Sequence, residues 1–235
     1  MKCAVDLHIH TCLSPCGDEL MTPNNIVGMS KLKELDMIAV TDHNTAMHLP
    51  AIKAVADVMG LAILPGMELT TREEAHLLAY FKTVGEALAF SEEIYPHLPD
   101  IPNRPDLFGP QTELNEDDEP VREEKKLLIS ALDLGVDDLV PLILARGGLA
   151  VPAHINRGSN GILNALGFLP PHLPFSALEI ARDLPLPERG IPSLPQLHSS
   201  DAHYLENILE REVFLELEEP TPEAFFKSIN NYRLS

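Results

Sequence analysis

The chain has 235 residues, a length that fits one large α/β domain or two small ones, and one domain is the expectation. Its hydrophobic fraction of 45% is ordinary for a globular protein, and no apolar run approaches the ~20 residues of a membrane span. Acids number 36 against 17 bases, and the resulting formal charge of −19 repels a polyanion, which sets long nucleic acid aside as a partner.

The opening MKCAVDLHIH has one lysine, no long apolar core and no small-residue cleavage site, so a cytoplasmic location is expected. Three cysteines, an odd number, are expected to be free thiols in a reducing compartment. In chain order, short β-type runs appear at CAVDLHI (3–9), MIAV (37–40), LAILP (61–65) and HLLAYF (76–81). They continue at LAVPA (149–153), SALEI (176–180), PQLHS (195–199) and REVFLEL (211–217). Helical periodicity lies between them at 26–35, 51–59 closed by Gly60, 84–94, and 136–146 closed by Gly147. Thr22-Pro23 and Thr221-Pro222 each place a capping hydroxyl before a proline suited to the first helical position. Pro141 predicts a kink or a later start in the fourth helix. Repeated βα units suit a parallel barrel or a doubly wound sheet, and periodicity does not choose between them. The acidic ELNEDDEPVREE (113–124) reads as a solvated excursion inside an irregular stretch, roughly 95–125, that could shape a pocket.

The strand ends carry the chemistry. His8 and His10 are two apart, so on an extended strand both rings share a face, with Asp6 on that face too. A lone His-x-His is a weak signal. MIAV then delivers Asp42 and His43, LAILP runs on to Glu68, His76 opens HLLAYF, LAVPA leads to His154, and PQLHS leads to Asp201 and His203. In parallel barrels the loops after the strands gather side chains from different strands into an active site. Imidazole with carboxylate, and no cysteine quartet, suits Zn, Mn or Fe in a catalytic centre.

In that order, DLHIHT, TDHN, PGMELT, the histidine of PAHINR, and SSDAH resemble the successive motifs of the PHP family, named for polymerase and histidinol phosphatase. The resemblance covers roughly residues 3–81 and 148–204. It implies a distorted (β/α)7 TIM-like barrel, a single catalytic domain over 1–235 with an insertion at about 82–147, and phosphoester hydrolysis at a two- or three-metal site. It also implies that His8, His10, Glu68 and Asp201 hold one metal, that Glu68 bridges to a second held by His76 and His154, and that His43 and His203 serve a third. Counting back from Pro23 puts Asp18 at the family's acidic third-metal position, in a turn lengthened by Pro15-Cys16-Gly17. Three divalent ions would outweigh Asp18, Glu68, Asp201 and one hydroxide, so the local field would attract phosphate despite the acidic whole.

Beyond the ligands, Arg157 could offer a fork to phosphate oxygens. Asp42 could orient a histidine or a metal-bound water, and His203 could protonate a leaving group. Cys12 and Cys16 have zinc-ligand spacing but lack a matching second pair, and they read as reduced structural thiols. His48, His97 and His172 read as structural or solvated, and His198, on the strand leading to Asp201, could face the pocket but reads as a core histidine. The expected substrate is a small phosphorylated metabolite or nucleotide. The competing readings are a non-enzymatic, metal-binding regulatory domain and a metal-dependent amidohydrolase, which also places His-x-His on a barrel strand.

Overall fold

The computed structural model describes residues 1–186 and 190–232. In chain order the elements are β1 (Lys2–Ile9), α1 (Pro23–Leu32), β2 (Met37–Val40), α2 (Leu49–Met59), β3 (Ala62–Ile63), β4 (Gly66–Thr70), β5 (His76–Tyr80) and α3 (Val84–Ile94). There follow α4 (Pro105–Phe108), β6 (Thr112–Leu114), β7 (Pro120–Glu123), α5 (Val136–Ala145), β8 (Leu149–Pro152), α6 (Ile162–Leu166), β9 (Leu178–Glu179), β10 (Gln196–Leu197), β11 (Phe214–Glu216) and α7 (Pro222–Tyr232). None of the described helices is long and apolar enough to cross a membrane.

Local chemistry explains the boundaries. Thr22 caps α1 by accepting from the Asn25 amide, with Pro23 at the first helical position. Gly60 ends α2 in the left-handed conformation at φ 65°. Pro141 is carried inside α5, and the helix starts at Val136. LAILP does not run on into GMELT as one strand. Leu64 and Pro65 part β3 from β4, because proline has no amide for a ladder.

The fold is mixed α/β, and the expected parallel barrel is met only in part. One sheet has the order β11-β1-β2-β3, with β1, β2 and β3 parallel and β11 antiparallel to β1. A second sheet, β4-β5-β8, is antiparallel throughout. The reason is connection length. Residues 71–75 between β4 and β5 are far short of the dozen or so that a parallel crossover takes. β9 and β10 form a parallel pair. Isolated parallel bridges, Ile9 to Ala202 and His43 to Glu68, join these sheets, and the described strands make no continuous closed barrel.

Both bridges fall where candidate ligands sit. The parallel strands therefore bring their C-terminal ends to one place. Toward their N-terminal ends, Cys3, Val5, Met37, Leu149 and Phe225 share an apolar cluster, and the Phe225 ring of α7 stands edge-on to Tyr80 at 5.8 Å. Residues 82–147 hold α3, α4, the β6-β7 hairpin and α5. The hairpin is exposed along β7, as its acidity predicts, yet it is tied down at its ends. Asp118 accepts from the Thr22 hydroxyl and the Asn24 amide, and the Leu114 amide donates to His48 Nε2 at 2.8 Å.

Candidate metal centre

Glu68, on β4, is 1% exposed and lies at the middle of the site. His8, His10, His43, His76 and His154 each place a ring nitrogen between 2.8 and 3.3 Å from its carboxylate. Asp201 Oδ1 lies 3.3 Å from His8 Nε2 and 3.2 Å from His10 Nε2. His203 stacks on His10 with ring centroids 4.3 Å apart. Three overlapping sets of donors have their atoms within 4.8 Å of one another: His8, His10, Glu68 and Asp201; His43, Glu68 and His76; and His10, His43 and His203.

This arrangement fits cations better than protons. One carboxylate has about four lone-pair positions, and five imidazoles crowd it. Nδ1 of His43, Nδ1 of His76 and Oδ1 of Asp201 are buried, and their approaches of 2.8 to 3.3 Å to Glu68, His8 and His10 lack the geometry of well-formed hydrogen bonds. Buried polar groups are nearly always paired in good geometry, and donor atoms that converge without it suit a shared cation better than one another. The His8 and His10 Nε2 atoms approach to 3.1 Å, where two lone pairs repel unless a proton or cation lies between.

The electrostatics are correspondingly tense. Burial alone would raise the Glu68 carboxyl, but His76 and His8 hold it well below its ordinary range. Asp201 is likewise held low, chiefly by His8 against its own burial. Burial lowers His10, and hydrogen bonds to Asp201 and Glu68 override it to about 9. His43, buried beside His10, falls well below the imidazole range. Burial and His10 together drop His203 to about 4. In addition, His154 at φ 28° and Asp201 at φ 55° adopt backbone conformations rare for residues with a side chain. Such strain, about 1–3 kcal/mol per residue, gathers at functional sites.

Of the predicted residues, His8, His10, His43, Glu68, His76, Asp201 and His203 fall in the donor sets, and His154 reaches Glu68 with Nε2 at 3.1 Å. Asp18 is not brought in. Its Oδ1 accepts from the Leu20 amide, and its own amide donates to the His203 carbonyl, so it braces the turn from outside. Asp42 faces away from the donors and accepts from the Thr11 amide, the Thr11 hydroxyl and the Ser14 hydroxyl. Arg157 Nη1 is paired with Asp201 Oδ2. Asp6 is also outside the donor sets. Its carboxylate holds the Ser200 amide and hydroxyl and the Leu209 amide, anchoring the turn before Asp201.

No donor set among the described residues includes a cysteine. Cys12 is buried, its thiol pushed up to about 12 mainly by burial, and Cys16 is raised by burial and then by Glu68 and Asp201. His97 and His172 pair with Asp133 and Asp137 on the surface, and His198 meets the Ile180 carbonyl.

Several contributors escaped the sequence reading. Glu179 accepts from His8 Nδ1 at 3.0 and 3.1 Å, Ser14 joins His10 to Asp42, and Asn160 contacts His76 Nε2 at 3.0 Å. Glu179 had a usable signal, being an acid near the end of an apolar run like the others. His48 is buried, not solvated. It links Thr11 Oγ1 at 2.6 Å to the hairpin amide of Leu114. Two cavities flank the centre. One, of about 560 Å³, is lined by His154, Arg157, Glu179, Arg182 and Asp201. The other, of about 630 Å³, lies between the Cys12–Glu19 turn, Tyr204 and residues 107–112 and Leu114 of the irregular stretch.

No family model matches the chain. A segment of 73 residues is 37% identical to the 5'-3' exoribonuclease Rnm of Salmonella typhimurium, covering 30% of this chain and 24% of that protein. Another, of 76 residues, is 34% identical to an uncharacterised protein of Methanocaldococcus jannaschii, covering 29% of this chain and 44% of the relative. The chain thus spans less than half the length of either curated relative. Among solved structures, the complex of Endonuclease Q with a 27-mer duplex carrying an abasic lesion superposes with a TM-score of 0.73 at 18% identity, over 98% of this chain and 57% of that one. A putative metal-dependent phosphoesterase of Bifidobacterium adolescentis superposes with a TM-score of 0.57 at 19% identity, over 97% and 96%.

The chain has a PHP-type fold. One inference from composition is overturned by these likenesses. Net charge set long nucleic acid aside, yet a protein of this fold has been solved on duplex DNA with the lesion at its active site. Total charge describes the far field, while an ion close to the donor cluster would meet mainly the charges within a Debye length or so, about 8–10 Å at moderate salt.

Proposed function

We propose that this chain is a metal-dependent phosphoesterase acting on a phosphoester of a nucleotide or nucleic-acid strand, at a centre of two or three divalent ions. The observation that carries the reading is the convergence of five imidazoles and Asp201 on the single carboxylate of Glu68, with buried donor atoms left without well-formed hydrogen bonds. His8, His10, Glu68 and Asp201 would hold one ion, Glu68 with His76 and His154 a second, and His43 and His203 with His10 a third. The imidazole and carboxylate set suits Zn, Mn or Fe. Bound there, such ions supply Lewis-acid charge and lower the pKa of water to about 7.

The chain's own groups do the rest. Ser14 donates to Asp42 and so accepts from His10 Nδ1–H, which leaves Nε2 free to face the centre. The Asp201 carbonyl accepts from His203 Nδ1 at 2.8 Å, which likewise leaves the Nε2 lone pair of His203 to bind an ion or, once protonated there, to pass that proton to a leaving oxygen. Arg157, 38% exposed at the side chain and already at Asp201, is placed to turn its guanidinium toward a phosphate oxygen. Residues 82–147, read as an insertion in a single catalytic domain, wall the second cavity. Three free cysteines suit a reducing, cytoplasmic setting.

The likenesses to an exoribonuclease and to Endonuclease Q support a nucleic-acid phosphodiester. The small number of basic residues around either cavity supports a second substrate reading, a small phosphorylated metabolite. Assaying the Zn-, Mn- and Fe-loaded protein on phosphomonoesters, single-stranded oligonucleotides and an abasic duplex separates the two. His8→Ala and Asp201→Asn should abolish turnover, and absence of metal-dependent hydrolysis across the panel would refute the enzyme reading.

A further inference from the structure

We infer that Glu179 is a positioning residue that fixes the tautomer of His8 and the strained turn of His154, so that both rings present Nε2 to the centre. The inference rests on the metal-centre reading above. Glu179 ends β9 and is 3% exposed, so its charge is met mainly by protein groups. Its Oε1 and Oε2 lie 3.1 and 3.0 Å from His8 Nδ1, and Oε2 also accepts from the His154 backbone amide at 2.9 Å. An ionised carboxylate only accepts. His8 therefore carries its proton on Nδ1, and the Nε2 lone pair is left to face Glu68 and Asp201.

The same oxygen steadies a backbone that needs it. His154 sits at φ 28°, and the strand partner of its successor is Glu179 itself, whose carbonyl accepts from the Ile155 amide at 2.9 Å. One residue thus ties β1 to the end of β8 from beneath the donors. His8 and His154 are otherwise carried by strands in different sheets. Outer carboxylates of this kind orient histidine ligands, and their loss weakens metal binding by about 10–100-fold.

The informative substitution is Glu179→Gln, which is nearly isosteric. With its oxygen kept on the His154 amide, its amide group would point at His8 Nδ1. His8 Nδ1 would then meet a donor in place of the Oε1 acceptor at 3.1 Å and keep only the oxygen it shares with the His154 amide. That weakens the hold on Nδ1–H and lets the proton move to Nε2, at the expense of the lone pair offered to the centre. Two measurements test this. Imidazole ¹⁵N spectra of the metal-free protein at alkaline pH should show His8 as the Nδ1–H tautomer in the wild type and as Nε2–H, or a mixture, in Glu179→Gln. Chelator competition with Zn²⁺ should show about 10–100-fold weaker binding at one site of the variant.

A role in packing alone would leave the isosteric variant's tautomer and affinity as in the wild type, and that result overturns the inference while leaving the phosphoesterase reading intact. The wild-type spectrum needs no variant to fold, and an Nε2–H tautomer there overturns the inference directly. A wild-type chain that binds no Zn²⁺, Mn²⁺ or Fe²⁺ refutes both, and is distinguished because it fails before any substitution is made.

Discussion

Asp42 shows how much of the site is held by a residue that touches no donor atom in it. Three buried donors, the Thr11 amide and the hydroxyls of Thr11 and Ser14, end on its two oxygens. Each buried donor left without an acceptor costs about 1–3 kcal/mol, so Asp42→Ala should lower the unfolding free energy by at least about 3 kcal/mol in urea denaturation. Asp42→Asn keeps one acceptor and should fall between. Arg157 makes the opposite prediction. It is partly exposed and pairs with the outer oxygen of Asp201, leaving Oδ1 to the centre. Arg157→Met should leave metal content unchanged and raise KM for a phosphoester about tenfold, the weight of one charge-assisted hydrogen bond. Metal content that falls with the substitution would instead make Arg157 a clasp on Asp201.

Among the elements, the excursion is joined to the site by one buried ring. His48 stands just before α2, receives the Leu114 amide on Nε2, and so must offer Nδ1–H to the Thr11 hydroxyl, which continues to Asp42. Burial lowers its pKa, against the pull of Asp42, Glu113 and Asp118. An unfolded histidine takes up its proton near pH ~6.5. Below that value the unfolded chain therefore binds more protons than the folded one, and the stability contributed by His48 is full above it and lost as pH falls. Glutamine can accept from Leu114 and donate to Thr11 without titrating. His48→Gln should therefore melt with a smaller loss between pH 8 and pH 5 than the wild type, as calorimetry of the metal-free forms would read. The strand ends bearing His8, His43, Glu68, His154 and Asp201 were legible in the sequence because each apolar run delivers its titratable group at its close. The antiparallel turn of β5 and the hairpin's grip on His48 were not, since both depend on which strands become neighbours. Pro65, which splits β3 from β4, was visible but read as the end of a run rather than a break within one.

At the scale of the molecule, the charge of −19 and the donor cluster act over different ranges. A basic track for a long strand would show as arginine and lysine along a groove. Here the cavity beside His154 and Asp201 offers Arg157 and Arg182, and Arg182 is already paired with Glu212. Each single-strand phosphate neutralised by a basic side chain contributes a slope of about −0.7 in log affinity against log salt. Arg157 is itself paired, but with Asp201 of the donor cluster, so among the described residues of this cavity it is the cation best placed to turn toward a phosphate. KM for an oligonucleotide should therefore vary with a slope no steeper than about −0.7. The surrounding acids should flatten it further, because added salt also screens their repulsion. KM should also be nearly the same for a dinucleotide and a 20-mer, since Arg182, the other described arginine of the cavity, is held by Glu212. Kinetics on an oligonucleotide length series at several salt concentrations would test both. A steep slope that grows with length would place a basic surface where the described residues show none, supplied by a partner or by sequence outside these residues.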